Sequence, residues 1–274
     1  LALLLVYVTP VHAESVGSVV VIDSGINTSL FKDNVVYEVC ILSKSECPNG
    51  KSFMEGLGAS KINESSDSVL NHGTNIVSVM TQVNSSIKVI PIRIVGINKL
   101  GNPENYTLDD IDKALTWVTK NQKKYNISVV NISQGNTFNT CDVSPIFKRQ
   151  VSLLKKVNVP VIAAAGNDGN SEPVFTPACW KDTISIGASD SSGRIQPYSN
   201  LNGKVDFYVQ DNYNVLMLNG NKQPRIGTSN STAAFSTWWL MNNKGSIEKT
   251  YKYALSVSTL TTNSSVKGFY VRTN

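Results

Sequence analysis

The chain predicts an α/β fold with a mostly parallel sheet, and three observations predict it. Apolar runs of strand length recur through its middle, helical patterns stand between them, and turn residues punctuate the joins. The runs at residues 16–22, 87–95, 127–132, 159–164 and 183–188 are apolar at most positions, as strands covered on both faces are. Between them, Leu108, Ile111, Leu115 and Val118 share one helical face, and Thr107 with Asp110 three positions later forms a capping box at its start. Ser144-Pro145 opens the next helix as N-cap and first helical residue, and its apolar positions run through Val151, Leu154 and Val157. Strand–helix–strand repeats of this kind require right-handed crossovers, hence parallel strands. Weaker strand patterns lie at 205–209 and 214–218, residues 246–258 read as a last helix, and 43–70 reads as a long irregular excursion rich in Gly, Ser, Asn and Lys.

With 274 residues, 41% hydrophobic and 16% charged, the chain can bury a sizeable core and lacks the composition of a disordered protein. No internal repeat or second domain is visible. The net charge of +5 is spread over scattered basic residues, which argues against a nucleic-acid groove. Leu1 to Val8 is apolar but shorter than the about 20 residues that span a bilayer. Val11-His12-Ala13 before Glu14 has the small-residue ending of a signal-peptidase site. Residues 1–13 are therefore read as the remainder of a signal peptide, with a buried first strand or helix as the alternative. Residues 14–274 form the folded domain, secreted or periplasmic. Four cysteines in an exported chain suggest two disulfides among three connectivities, with Cys40–Cys47 and Cys141–Cys179 favoured. A zinc site is disfavoured because no C-x-x-C pair exists.

Four separated segments end in residue types that acyl transfer needs. Val21-Ile22-Asp23-Ser24-Gly25 offers an acid, Asn71-His72-Gly73-Thr74 a base, Ala165-Gly166-Asn167 an amide donor, and Gly227-Thr228-Ser229 a hydroxyl. A hydroxyl nucleophile needs a base to take its proton, an acid to fix the base's tautomer, and donors for the oxyanion. Of the two histidines, His12 falls in the presumed signal peptide, so His72 is the candidate base. Taken singly, Asp23, Asn167 and Ser229 would pass for a strand-end acid, a turn residue and a helix cap.

Together these segments resemble the subtilisin-like serine peptidases, whose chain order is also Asp, His, Ser. Asn131-Ile132-Ser133-Gln134-Gly135 is similar to the family's substrate-binding strand, and the resemblance runs from about Val16 to Leu240. It implies a three-layer α/β/α domain that cleaves peptide bonds through Asp23, His72 and Ser229, with Asn167 and the Ser229 N–H in the oxyanion hole. It also implies an extended substrate between Leu100, Gly101, Asn102 and Ser133, Gln134, Gly135. Ala164, Ala165 and Gly166 would line the pocket for the residue before the cut. The expected partner is a polypeptide substrate met by a monomer, with no nucleic acid, stable membrane anchor, cofactor or metal. The alternative is a catalytically impaired peptide-binding module on the same fold. The chain departs from the family at Asn75, where a second histidine is usual. It also departs at Ser231-Thr232-Ala233, where Ala-x-Pro is usual, and at Val209-Gln210-Asp211, where Ala-Pro-Gly is usual. The short passage Val83-Asn84-Ser85-Ser86 leaves no room for the family's tight calcium loop, and no propeptide is read before the first core strand.

Overall fold

The computed structural model describes residues 17–62, 68–135, 141, 145–169, 174–201, 204–262 and 267–273. The presumed signal-peptide segment 1–13 and the helix cap expected at Ser144 lie outside them. In chain order, the first half holds β1 (Ser18–Asp23), β2 (Val39–Ile41), β3 (Phe53–Glu55), α1 (Ser68–Val83) and β4 (Lys88–Arg93). A small hairpin of β5 (Gly96–Ile97) and β6 (Pro103–Glu104) follows, then α2 (Leu108–Asn121) and β7 (Ile127–Ile132). The second half holds α3 (Pro145–Lys156), β8 (Val161–Ala164), β9 (Thr183–Ser189) and β10 (Phe207–Gln210). It closes with the hairpin β11 (Tyr213–Leu216) and β12 (Lys222–Arg225), α4 (Thr228–Met241), α5 (Ile247–Val257), β13 (Thr259–Thr262) and β14 (Lys267–Val271).

Ten strands form one sheet in the order β13-β14-β10-β9-β8-β7-β1-β4-β2-β3. The pairings from β14 through β10, β9, β8, β7, β1 and β4 to β2 are parallel, and only the outermost strands β13 and β3 run antiparallel. The predicted fold class is therefore the observed one. Alternation along β1 sends side chains to opposite faces. Val19 and Val21 join Ile76, Met80, Ala233 and Phe235 on the face covered by α1 and α4. Val20 and Ile22 join Ile111, Leu115, Val151 and Leu154 on the face covered by α2 and α3. The chain places β4 on one side of β1 and then crosses over to place β7 on the other. That change of direction opens a crevice at the carboxyl end of β1.

The strands at 127–132 and 183–188 stand where the apolar runs predict them, and the capping box of Thr107 and Asp110 is formed. Three readings need correction. The segment 43–70 is not irregular throughout: it contains β3, and α1 begins at Ser68, drawn in by the burial of Leu70. Val157 follows the end of α3 and is 46% exposed, outside the helical face. The edge strand β13, paired only with β14, gave no apolar run: Thr259, Leu260, Thr261 and Thr262 form a polar-rich sheet margin.

Both favoured disulfides are present, Cys40–Cys47 and Cys141–Cys179, and no cysteine is free. The second closes 38 residues of chain around the segment that carries Asn167. Replacing Cys141 and Cys179 together by Ala should lower the unfolding free energy by about 4 kcal/mol by loop-entropy arithmetic. Urea unfolding of the double variant measures it, and a loss below about 1 kcal/mol would show that the link constrains little of the unfolded chain.

Candidate active site

Asp23 is the last residue of β1 and is 1% exposed. A buried carboxylate is tolerated only where donors replace its water. Three segments supply them. The Ser24 N–H donates to Oδ1 at 2.7 Å, and His72 Nδ1 lies 2.8 Å from Oδ1 and 3.0 Å from Oδ2. The Gln134 amide nitrogen lies 2.9 Å from Oδ1. The backbone of Asp23 is held as well, its carbonyl accepting from the Ile94 N–H at 2.8 Å.

His72 is the fifth residue of α1, one turn inside the helix. Its neighbours bring the helix close to the end of β1. A Cβ on Gly73 would stand 2.2 Å from the carbonyl oxygen of Gly25, so only glycine permits this approach. The Gly73 N–H donates to Ser24 Oγ at 2.9 Å, and Asn27 N–H donates to Thr74 Oγ1 at 3.1 Å. The imidazole is 27% exposed, with Nδ1 turned inward. Desolvation pulls its pKa down, but the charge of Asp23 and its hydrogen bond together outweigh this, and the pKa is raised. Asn75, at the position of the family's second histidine, donates to the Leu216 carbonyl at 2.7 Å and ties β11 to the helix.

Ser229 is the second residue of α4, a helix through the middle of the domain. From Thr228 to Leu240 every residue of that helix is buried except Ser229. Its hydroxyls are satisfied internally: Thr232 and Thr237 donate to carbonyls four residues back, and Ser236 donates to Asn131 Oδ1 at 3.0 Å. Asn131 donates in turn to Ser133 Oγ, and Ser133 Oγ donates to the Ser229 carbonyl, both at 3.0 Å. The approach to the helix turns at Gly227, with φ of 143°, a conformation that favours glycine. Asp211, fully buried, accepts from the Gly227 N–H at 3.1 Å, and its carbonyl accepts from Asn230 Nδ2 at 2.9 Å. Burial pushes the Asp211 carboxyl pKa up against these hydrogen bonds. The stretch Val209-Gln210-Asp211 thus braces the α4 entrance, with Ser231 Oγ donating to the Val209 carbonyl at 2.7 Å. No periodic pattern marked Asp211, Asn131 or Ser236 as parts of this brace.

His72, Gln134, Asn167 and Ser229 line one open cleft of about 270 Å³. The Ser229 hydroxyl donates to the Ser133 carbonyl at 2.9 Å, and no hydrogen bond joins it to the imidazole in this resting geometry. Catalytic hydrogen bonds in unliganded sites are often long and tighten with substrate. Asn167 uses Oδ1 to accept from the Thr228 N–H at 2.9 Å and from Thr228 Oγ1 at 3.0 Å. Holding the oxygen this way leaves its NH₂ as the end available to a ligand in the cleft. A larger hollow of about 820 Å³, beside Val35 to Glu38, contains no histidine and none of these four residues.

The expected substrate contacts are placed less uniformly. Gln134 lines the cleft, but its side chain is spent on Asp23 and lies 3.0 Å from His72 Nδ1. Ser133 and Gly135 flank it, and Ala164 and Ala165 are buried, leaving only their backbone for a ligand. Leu100, Gly101 and Asn102 form the tip of the β5–β6 hairpin, where Leu100 is 85% exposed; none of the three lines the cleft. Phe175 stands between the two inner segments: a Cβ on Gly135 would meet its ring at 3.0 Å, and one on Gly166 at 2.8 Å. Among the described residues no three His, Cys, Asp or Glu cluster as metal ligands would, and no helix is long and apolar enough to cross a membrane.

Comparison with known proteins bears on the family and the fold. Minor extracellular protease Epr of Bacillus subtilis (strain 168) is 24% identical over 59% of this chain, and Subtilisin NAT of Bacillus subtilis subsp. natto is 27% identical over 69%. The chain spans only 24% and 45% of those two relatives. Among solved structures, a cold adapted subtilisin-like serine proteinase matches 94% of this chain and 88% of its own, with TM-score 0.69 and 18% identity. The epidermin leader peptide processing serine protease EpiP of Staphylococcus aureus matches 89% of this chain and 69% of its own, with TM-score 0.71 and 16% identity. At such identities the structural likeness speaks for the fold. The profile of the Subtilase family matches residues 16–244, and the chain belongs to that family.

Proposed function

We propose that this chain is a serine endopeptidase acting on polypeptides outside the cytoplasm. The observation that carries the reading is the pairing of His72 Nδ1 with the buried carboxylate of Asp23, in the cleft that also holds Ser229 and Asn167. In this mechanism Ser229 Oγ attacks the scissile carbonyl carbon while His72 Nε2 takes the hydroxyl proton. Asp23 holds the ring in the Nδ1–H tautomer and stabilises the imidazolium that forms. The carbonyl oxygen, now negative, accepts from Asn167 Nδ2 and the Ser229 N–H, where the N-terminus of α4 favours negative charge. Collapse of the intermediate breaks the C–N bond, and the amine leaves with the proton from His72. Water then enters, loses a proton to His72 and attacks the acyl carbon; the bond to Ser229 Oγ breaks, and Oγ takes the proton back from His72. Two disulfides and an extracellular relative support an exported site of action, with residues 1–13 as the export signal and 14–274 as the peptidase domain.

One observation favours a second reading, a peptide-binding module on the same fold: the Ser229 hydroxyl rests on the Ser133 carbonyl and not on the imidazole. A fluorophosphonate probe separates the two. It should label the protein once, at Ser229, and Ser229→Ala should abolish both labelling and casein cleavage. Folded protein with Ser229 intact that takes no label would favour the binding module.

Asn167→Ala should lower kcat by about 10² to 10³ with KM little changed, the scale of one lost oxyanion donor. An unchanged kcat would remove Asn167 from the mechanism. The Phe175 ring, set between Gly135 and Gly166, would leave room there only for a small side chain before the cut. A peptide library should therefore show Gly or Ala preferred at that position, and Phe175→Gly should shift the preference toward bulky apolar residues. A native preference for Phe or Leu would contradict this reading of the pocket.

A further inference from the structure

The mechanism above leaves one polar contact unused, and it lies at the centre of the site. Gln134 Nε2 stands 2.9 Å from Asp23 Oδ1 and 3.0 Å from His72 Nδ1. An ionised carboxylate only accepts hydrogen bonds, so the amide must present its NH₂ group, not its oxygen, to Asp23. His72 Nδ1 also carries its hydrogen toward Asp23. Two donors therefore converge on Oδ1 and face each other at 3.0 Å. A cation on the imidazole would meet the positive end of the amide dipole. It would also face a carboxylate whose charge is already shared with two further donors, Ser24 N–H and Gln134.

We propose that Gln134 is a positioning residue, resting on the peptidase reading above: its amide clamps Asp23 beside the ring and weakens the pull of that carboxylate toward a charged imidazole. Without the clamp, Asp23 alone acts on the ring, and it favours the protonated form that cannot take a proton from Ser229. The amide offsets that bias and leaves the orienting hydrogen bond intact. It contributes through Asp23 and His72 and touches no reacting atom.

The other charged and titratable groups around the ring do not duplicate this role. Asp23 faces it from β1. Arg225, at the end of β12, lines the same cleft but is exposed to solvent and screened. Arg93 on β4 is paired in register with Asp23, yet its guanidinium donates to the carbonyls of Val95 and Lys61. Tyr106, ahead of α2, has its pKa pushed up by burial and by Asp23, so it stays neutral near pH 7. From α4, the cleft receives only Ser229 and Asn230, neither of which titrates in that range. Gln134 is thus the group through which the ring can be altered while every charge stays in place.

The test is the titration of His72 by NMR of the imidazole. His72 is the only histidine of residues 14–274, so its imidazole signal needs no further assignment. Gln134→Met keeps the length of the side chain and removes the donor; Gln134→Leu is a second variant of similar volume should the first fold poorly. In either variant the His72 pKa should rise by about half a unit, as loss of a nearby donor dipole requires. The acid limb of kcat/KM on a peptide substrate should move up by the same amount, with KM changed less than about twofold. A purely structural role would alter stability or kcat and leave the imidazole titration where it was. An unchanged or lowered His72 pKa in a folded variant overturns the proposal. Because the titration is read without turnover, it also separates the two ideas. A pKa that rises in a protein whose Ser229 takes no probe keeps the clamp and rejects the peptidase, whereas a labelled enzyme with no rise does the reverse.

Discussion

The hydrogen bond from His72 Nδ1 to Asp23 is the contact on which the rest of the site depends. A carboxylate with 1% exposure is several kcal/mol uphill unless donors surround it. Those donors come from the end of β1, from α1 and from the end of β7. The fold must bring all three to one point for the buried Asp23 carboxylate to be satisfied. It does so by setting β1 between β4 and β7 in the middle of a ten-stranded sheet, where the change of strand order opens a crevice into which His72 of α1 descends. The close passage of Gly73 over the Gly25 carbonyl then sets the depth of that descent.

A second frame holds the nucleophile. α4 buries polar and apolar residues alike, and its polar ones are fastened to the helix itself, to the Val209 carbonyl of β10 through Ser231, and to β7 through Ser236 and Asn131, with Ser133 just beyond the strand. Asp211 fixes the backbone on the other side through Gly227 and Asn230. Ser229 emerges from this packing as the one partly exposed residue between Thr228 and Leu240. A serine on so fixed a helix can change its side-chain rotamer without moving its backbone.

Much of this was legible in the residues alone. Strands buried on both faces announce themselves as apolar runs, which is why 127–132 is located to the residue and 183–188 to within one. The acid, base, amide and hydroxyl stood out because each ends an apolar run or begins a small-residue one. What stayed hidden depends on direction and distance, which composition does not encode. Gln134 stands two positions beyond the last strand residue, where period-two alternation has ended, so nothing in the pattern says that its side chain turns to Asp23. Asp211 looks like a loop acid until Gly227 is placed against it. Phe175 acquires meaning only when two glycines distant in sequence are found on either side of its ring. The hairpin tip at Leu100 is exposed and lies outside the small cleft that His72, Gln134, Asn167 and Ser229 line.

The most direct measurement is a crystal structure of the protein treated with a peptide aldehyde. The account predicts a covalent bond from Ser229 Oγ to the former carbonyl carbon. The new oxygen should lie about 2.7–3.1 Å from Asn167 Nδ2 and from the Ser229 nitrogen, with His72 still bonded to Asp23. An adduct on another residue, or an aldehyde bound intact with Ser229 still on the Ser133 carbonyl, would contradict it.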